Sequence, residues 1–367
     1  MTRTRISPIL LLFALLTLGL SAEERFTSSQ LRNAGVNAAN LQPIVFSHDN
    51  RTLAAFDRAE FEDKKRGVFY RLWLFPINRD GSFGEATKVE LPLKTLEQGE
   101  FTPDDSKFVV LGNRGTTFYT VDLNDRSVSP LMQPEWGEAG FRADPPVLWT
   151  EGGKLFVSGR PYDKNRFVET RTVATLRPDA QEGERFQRGP DISTLEKGLE
   201  RLWFANYVSD KAAFFGQKYP QTTILSYWNG SRVAEFDRAW KYLGFWVNSG
   251  RLLFSTRRTD GGPCELALYD AATGSTKTIA SSDKDYRYIF LSRNGETALT
   301  SQMDSEAERL VPFYARESEN WELKPLLTDR NGTARTIPPG WMRLSSDGSL
   351  ACHVGANGLT LYKIGDR

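Results

Sequence analysis

Histidine and cysteine are scarce in this chain, which has two of each among its 367 residues. Two histidines exclude any metal site that needs three. The chain also has no large excess of positive or negative charge, because 47 Lys and Arg residues balance 46 Asp and Glu residues. This balance predicts no strong general attraction to nucleic acid or anionic membranes. The charged fraction of 25% and the hydrophobic fraction of 40% exclude a disordered chain and are typical of a folded globular protein.

Long apolar runs are absent except at the amino terminus. Residues 1–22 carry Arg3 and Arg5, then about a dozen mostly apolar residues, then a stretch of small residues. This pattern is typical of a secretory signal peptide, and the apolar run is too short to span a bilayer as a helix. An uncleaved membrane anchor is the alternative. We therefore expect an exported protein, periplasmic or secreted, with no membrane span in the mature chain.

One pattern recurs seven times after residue 43: an apolar strand, a tight polar turn and a second apolar strand. Asp, Asn and Gly in the turns supply the left-handed backbone that hairpins use. Most copies add a third strand of alternating character, such as residues 69–74, and a short fourth strand. The first core positions after the turns lie about 40 to 57 residues apart: Leu53, Phe108, Leu155, Ala212, Leu252, Ala298 and Leu350. Repeated four-stranded units of this length predict β-propeller blades.

The turn Ser345-Ser346-Asp347-Gly348, with weaker forms at residues 47–50 and 102–105, resembles the repeat turn of the TolB-like and WD-repeat-like propeller families. The resemblance spans about residues 43–363. It implies an all-β propeller of seven four-stranded blades and says nothing about a ligand. Irregular spacing leaves six or eight blades open, and a pair of β-sandwiches is the alternative fold. The predicted organisation is a signal peptide (1–22), a segment that closes the ring (23–42) and the propeller (43–367).

The seventh copy stops after its third strand, which would leave an unpaired edge that invites aggregation. We expect residues 24–27 or their neighbours to supply the missing outer strand. Two short helices are predicted, at Ser28–Asn33 and at residues 193–203, where leucines share one helical face. Aromatic residues make up 12% of the chain. Those on the inner two strands are predicted to be buried between blades: Phe56, Phe108, Trp149, Phe156, Phe214, Trp246 and Phe254.

Motifs for catalysis and for cofactor binding are missing. The sequence has no Gly-x-Ser-x-Gly, no zinc or haem signature and no calcium or phosphate-binding loop. His48, in a repeat turn, and His353, in a second strand, are interpreted as structural. Cys264 and Cys352 fall in copies that are not neighbours in a ring, so we expect two buried free thiols. The prediction is no catalytic residue, no metal and no cofactor.

The connections differ between the two ends of the predicted blades. All first-to-second turns are tight, and they define the short-turn face. The second-to-third and blade-to-blade connections are long, charged and aromatic, and they define the long-loop face; examples are residues 57–67 and residues 283–287. Loops held by a rigid scaffold often carry function, and Arg, Trp and Tyr are common anchors; a face of merely solvated crossovers is the alternative. The candidate binding residues on the long-loop face are Arg58, Trp136, Tyr162, Arg166, Arg257 and Trp240.

Three functions fit these observations. The first is an exported, non-catalytic, monomeric propeller that binds a protein, a peptide or an envelope component; the mixed charges favour such a partner over nucleic acid. The second is a propeller enzyme, such as a lactonase-like hydrolase or a lyase, with an acidic metal site near the axis. The third is sugar recognition by exposed aromatic residues. Fold alone does not choose among them, because propellers host many functions.

Overall fold

Strands dominate the protein, as a computed structural model shows. The structure describes residues 23–33, 35–36, 41, 44–60, 68–115, 117–131, 140–149, 155–163, 166–167, 172–176, 186–191, 201–208, 211–218, 222–227, 232–236, 245–248, 250–257 and 262–365. From residue 140 to residue 248 it describes the backbone alone. Within these ranges no helix is long and apolar enough to cross a membrane.

The strands of the described residues form seven antiparallel sheets. Sheet 1 contains β2 (Ile44–Phe46), β3 (Thr52–Glu60), β4 (Val68–Pro76) and β5 (Thr87–Leu91); sheet 2 contains β6 (Leu96–Phe101), β7 (Lys107–Gly112), β8 (Thr117–Asp122) and β9 (Val128–Leu131). Sheet 3 contains β10 (Gly140–Trp149), β11 (Leu155–Asp163), β12 (Arg166–Phe167), β13 (Thr172–Leu176) and β14 (Phe186–Asp191). Sheet 4 contains β15 (Arg201–Val208), β16 (Lys211–Lys218), β17 (Thr222–Tyr227) and β18 (Arg232–Phe236).

The remaining three sheets complete the order along the chain. Sheet 5 contains β19 (Phe245–Asn248), β20 (Arg251–Arg257), β21 (Cys264–Asp270) and β22 (Ser275–Ser282). Sheet 6 contains β23 (Tyr286–Leu291), β24 (Thr297–Asp304), β25 (Arg309–Arg316) and β26 (Lys324–Pro325). Sheet 7 contains β27 (Gly340–Leu344), β28 (Leu350–Gly355), β29 (Gly358–Lys363) and β1 (Glu23–Thr27).

The first strands of the sheets meet around a common axis. Each contacts the first strand of the next sheet, in the order β2, β6, β10, β15, β19, β23 and β27, and β27 contacts β2. This closed ring of sheets is the β-propeller predicted from the repeats. Each inner strand starts at the long-loop face and ends in its first-to-second turn at the short-turn face.

The amino-terminal segment closes the ring, as the sequence predicted. Strand β1 pairs antiparallel with β29, from Glu23 opposite Tyr362 to Thr27 opposite Gly358. The predicted short helix follows as α1 (Ser28–Asn33). Leu31, Val36 and Leu41 of this segment are buried in a cluster with core residues of sheets 1 and 7. The segment therefore adds an apolar core contact as well as the outer strand.

Aromatic side chains fill the space between sheets 1 and 2. Phe56 and Phe108 are fully buried with ring centroids 5.6 Å apart, and Phe101 meets Phe108 edge to face at 4.7 Å. A side chain at Gly99 would collide with Phe56 and Phe108, so the absence of a Cβ there permits the close approach. Phe254 is buried as well. The predicted burial is confirmed for Phe56, Phe108 and Phe254. The side chains of the other four predicted residues lie outside the described ones: Trp149, Phe156, Phe214 and Trp246.

The repeat turns of sheets 1, 2, 6 and 7 share one hydrogen-bonding pattern. Each begins with a hydroxyl residue that donates to an Asp or Asn two positions later, at 2.6–2.8 Å, and accepts the backbone N–H five positions later: Ser47, Thr102, Ser292 and Ser345. The fourth turn position has positive φ and is Asn50, Asp105, Gly295 or Gly348. The two of these residues that have side chains, Asn50 and Asp105, each accept hydrogen bonds from the neighbouring turn.

These inter-turn bonds join sheet to sheet at the short-turn face. The Asp105 carboxylate accepts the backbone N–H groups of His48 (2.8 Å) and Asp49 (2.9 Å), and it contacts Nδ1 of His48 at 2.9 Å. Asn50 Oδ1 accepts the Ser346 N–H at 2.8 Å. His48 therefore lies in a contact between sheets 1 and 2.

Two sequence-based expectations need correction. The helix predicted for residues 193–203 cannot extend to its end, because β15 begins at Arg201 and pairs with β16; sheet pairing overrides the helical spacing of the leucines. Residues 57–60, expected in a long loop, belong to β3, whose ladder with β4 extends to Glu60 opposite Val68. Both cysteines are free and buried, as predicted.

Candidate functional site

The six predicted binding residues are only partly described. Arg58 is exposed on β3, in strand rather than loop. Tyr162 on β11 and Arg166 on β12 lie in one hairpin, where Asp163 pairs with Arg166, and Arg257 ends β20 opposite Cys264. Trp136 and Trp240 lie outside the described residues.

Three of these residues therefore correct the loop assignment. Arg58, Tyr162 and Arg257 belong to second strands that continue further toward the long-loop face than the sequence suggested. In these second strands the run of apolar residues ends before the strand itself ends. Residues at the end of a sheet pair through their backbone atoms, so polar residues can continue the strand.

Trp341 lies at the long-loop end of the axis. It is the second residue of β27, close to where that strand enters the ring, and it is 43% exposed. No other large hydrophobic side chain among those described is exposed. Its ring meets Tyr288 of the neighbouring inner strand edge to face, with centroids 6.3 Å apart. An exposed Trp held by a second aromatic ring is a common anchor of binding surfaces.

Tyr288 adopts a backbone conformation that is unfavourable for its side chain. Its φ is +49°, and it lies in a β-bulge of β23 between Arg287 and Phe290. The carbonyl of Arg287 accepts Thr300 Oγ1 at 3.0 Å and Ser301 Oγ at 3.4 Å. Two fully buried hydroxyl side chains thus hold the bulge. Bulges change the direction in which side chains point. Residues whose strained backbone is enforced by their surroundings are often found at functional sites.

Charged groups line the axis below this aromatic pair. The guanidinium of Arg343 on β27 lies 5.2 Å from the ring centroid of Phe290. Glu100 on β6 interacts electrostatically with Arg343, although the inner strand of sheet 1 lies between their strands in the ring. Removal from water raises the pKa of the Glu100 carboxyl, which Arg343 only partly offsets. Removal from water also lowers the pKa of the Arg343 guanidinium, and Glu100 opposes this.

We call Arg287, Tyr288 and Trp341 the axial mouth. Arg287 is exposed and Tyr288 half-buried, so the group offers a cation and two aromatic rings to solvent. Such a group can bind a ligand, but it contains no carboxylate, imidazole or thiol. Among the described residues, no three His, Cys, Asp or Glu side chains are placed to share a metal ion.

Sequence analysis missed the axial mouth, although it selected the same face. It treated residues 283–287 as a loop and placed weight on loop residues farther from the axis. A usable signal was present in Tyr286-Arg287-Tyr288-Ile289-Phe290, where three aromatic residues fall within one short strand. The alternation of Trp341 and Arg343 with buried Met342 and Leu344 was a second signal.

No protein-family model and no curated protein matches the chain. Solved structures do. An oligogalacturonate lyase from Vibrio parahaemolyticus is similar over 88% of both chains at 9% identity and a TM-score of 0.61. An oligogalacturonate lyase in complex with manganese is similar over 88% of both chains at 13% identity and a TM-score of 0.59.

The propeller domain of the trilobed protease from Pyrococcus furiosus is similar over 89% of this chain and 96% of that one, at 12% identity and a TM-score of 0.57. That domain has an open velcro topology, whereas β1 and β29 join both ends of this chain in one sheet. At these identities the likenesses show the β-propeller fold, as the repeat turns indicated, and nothing further.

Proposed function

We propose that this chain is an exported, non-catalytic β-propeller that binds a protein or peptide segment at its axial mouth. The observation that carries the proposal is the exposed Trp341 packed on Tyr288, whose strained backbone is fixed by buried hydroxyls. Rigid aromatic anchors lose little entropy on binding and dominate interface energies. The proposal of export rests on residues 1–22.

Arg287 adds a charge-assisted donor at the rim. A peptide offers the matching partners, because its backbone carbonyls and acidic side chains accept from Arg while its apolar side chains pack on Trp341. The ring of inner strands holds the mouth rigid, so binding needs no large rearrangement of this chain.

The test is a selection of peptides from a random displayed library against the full chain. Dissociation constants of the enriched peptides are then measured by fluorescence polarisation for the wild type, Trp341→Ala and the control Lys88→Ala, which alters an exposed residue of the outer strand β5. The proposal predicts at least tenfold weaker binding to Trp341→Ala, which corresponds to about 1.4 kcal/mol, and no change in the control. Failure to enrich any peptide, or equal affinity for all three proteins, would overturn it.

Glu100 supports a second candidate, a propeller lyase acting at the axis. A carboxyl with a raised pKa beside a guanidinium is a common acid–base group, and two of the similar structures are oligogalacturonate lyases. The test is incubation of the full chain with oligogalacturonate and Mn²⁺, with measurement of unsaturated products. The lyase proposal predicts products that Glu100→Gln abolishes. The binding proposal predicts no products from either protein.

A further inference from the structure

A cleft of about 590 Å³ lies on the short-turn face, away from the axial mouth. It opens where sheets 6, 7 and 1 meet, at the place where the ring closes. Its lining comes from the repeat turn of sheet 1, the turn after β4, the end of β25 and the end of β29. Pockets of this size commonly hold small molecules.

Positive charge dominates the lining of this cleft. Four lining residues are basic, namely Arg51, Arg79, Arg316 and Lys363, and only Asp49 is acidic. The Asp49 carboxylate already accepts the Ser47 hydroxyl at 2.7 Å and the Arg51 backbone N–H at 2.9 Å. Its distance of 3.9 Å from Arg51 Nε makes a weak, exposed pair. The cleft therefore carries an excess of cations.

Two of the basic side chains pass close to glycine residues. Arg316 donates a hydrogen bond to the carbonyl of Ile364, and a side chain at Gly365 would collide with its guanidinium. Lys363 passes close to Gly81, where an added Cβ would lie 3.1 Å from the lysine Cε. Gly81 has φ +86°. The chain thus keeps side chains out of the space around both cations.

A nearby acid, Asp80, offsets only part of this charge. Asp80 follows Arg79 in the turn after β4, but its carboxylate accepts the Ser82 N–H at 2.8 Å and the Ser82 hydroxyl at 2.7 Å. Those hydrogen bonds are the main reason that the pKa of Asp80 is lowered, and Lys363 adds a smaller effect. Asp80 therefore stays ionised, and together with Asp49 it leaves two of the four basic charges uncompensated.

We propose that this cleft binds a small multivalent anion that carries two or more carboxylate or phosphate groups. Three arginines offer planar forks that bind either group through paired hydrogen bonds, and Lys363 adds a point charge. The polar turn residues Asn50, Asn78 and Ser349 complete the lining. This site is independent of the axial mouth.

The test is isothermal titration calorimetry of the full chain with pyrophosphate and with citrate as probes. The cleft variant is Arg51→Gln with Arg79→Gln, and the control is Lys88→Gln with Lys94→Gln, which removes the same charge from exposed positions outside the cleft. All four positions are surface residues, so the melting temperatures should match that of the wild type.

The proposal predicts saturable one-site binding of at least one probe, weakened at least tenfold in the cleft variant and less than threefold in the control. The preferred probe then identifies the anionic group. Lack of saturable binding of both probes at millimolar concentration would overturn the proposal. An equal loss in the two variants would also overturn it, because overall charge alone would then explain the attraction.

Discussion

The two ends of the propeller axis are built differently. At the short-turn end, the repeat turns of sheets 1, 2, 6 and 7 share one hydrogen-bonding pattern, and Asp105 and Asn50 join neighbouring sheets. At the long-loop end, β23 carries a bulge with a strained Tyr288, and β27 exposes Trp341. The repeat turns at the regular end bond to themselves and to their neighbours, whereas the irregular end leaves aromatic surface in water.

This difference separates a scaffold from a surface available for binding. Repetition at the short-turn end lets each turn stabilise the next, so local and tertiary preferences agree there. A departure from the repeat that costs free energy, as at Tyr288, is expected where function requires it. The basic cleft is a second candidate binding surface, and it lies at the short-turn end beside the repeat turns of sheets 1 and 7.

The largest effect is expected from deletion of residues 23–41. This removes the outer strand β1 and the buried side chains of Leu31, Val36 and Leu41. The exposed edge of β29 then favours association between chains. We expect aggregation, or loss of the cooperative melting transition, measured by size-exclusion chromatography and circular dichroism. Arg32→Ala, at an exposed position of α1, is the matched control; a deletion that melts like the wild type would contradict the account of closure.

The next effect compares an aromatic residue between sheets with the one at the mouth. Phe108→Ala should lower the free energy of unfolding by about 3–5 kcal/mol, because a fully buried ring leaves a cavity. Trp341→Ala should change it by only about 0.5 kcal/mol, as for other exposed positions. Chemical denaturation of both variants measures the contrast. Similar losses would show that Trp341 belongs to the core.

A smaller effect is expected at the short-turn face. Asp105→Gly keeps a residue suited to positive φ but removes the acceptor for His48 and Asp49, at a cost of about 1–3 kcal/mol. Removal from water alone would raise the pKa of Asp105, but its hydrogen bonds outweigh this and lower it.

The sign of the pH dependence follows from that lowered pKa. Stability due to Asp105 is present above the unfolded-state pKa of about 3.9 and is lost as pH falls through the lower folded-state value. The difference in unfolding free energy between wild type and Asp105→Gly should therefore be constant near neutral pH and shrink in acid. A difference that grows on acidification would contradict the assignment.

A small effect on stability is also expected at the bulge. Tyr288→Gly removes the cost of a positive φ, which is about 1–2 kcal/mol for a residue with a side chain. It also removes the packing of the Tyr288 ring against Trp341, and we expect this loss to be similar in magnitude. We expect the unfolding free energy to stay within about 1 kcal/mol of wild type while peptide affinity falls. A loss as large as that of Phe108→Ala would assign Tyr288 to the core.

Local patterns explain which parts of the fold were predictable. The repeat turns, the aromatic residues of the second strands such as Phe56 and Phe108, and the closing strand β1 follow from alternation and turn chemistry in nearby residues. Asp57 was not predictable in this way. It was placed in a loop, yet it is a buried carboxylate that accepts Arg71 Nε at 2.9 Å and Trp73 Nε1 at 3.0 Å. Its partners lie across a hairpin whose length the sequence underestimated.

The candidate site was less predictable than the fold for the same reason. The face could be chosen from loop lengths, but the axial mouth depends on a bulge in β23 and on the contact between two inner strands, Tyr288 with Trp341. No short-range pattern encodes a contact between residues so far apart in sequence. The buried hydroxyls of Thr300 and Ser301 hold the bulge. In the sequence, these two residues look like ordinary members of a strand.

The most direct test of the central claim is to locate a bound peptide. A peptide selected against the full chain is given a benzophenone group, irradiated in the complex, and its attachment sites are identified by mass spectrometry. The account predicts attachment within β23 and β27, at residues 286–290 and 340–343. Attachment at the short-turn face, near residues 49–51 or 347–349, would contradict it.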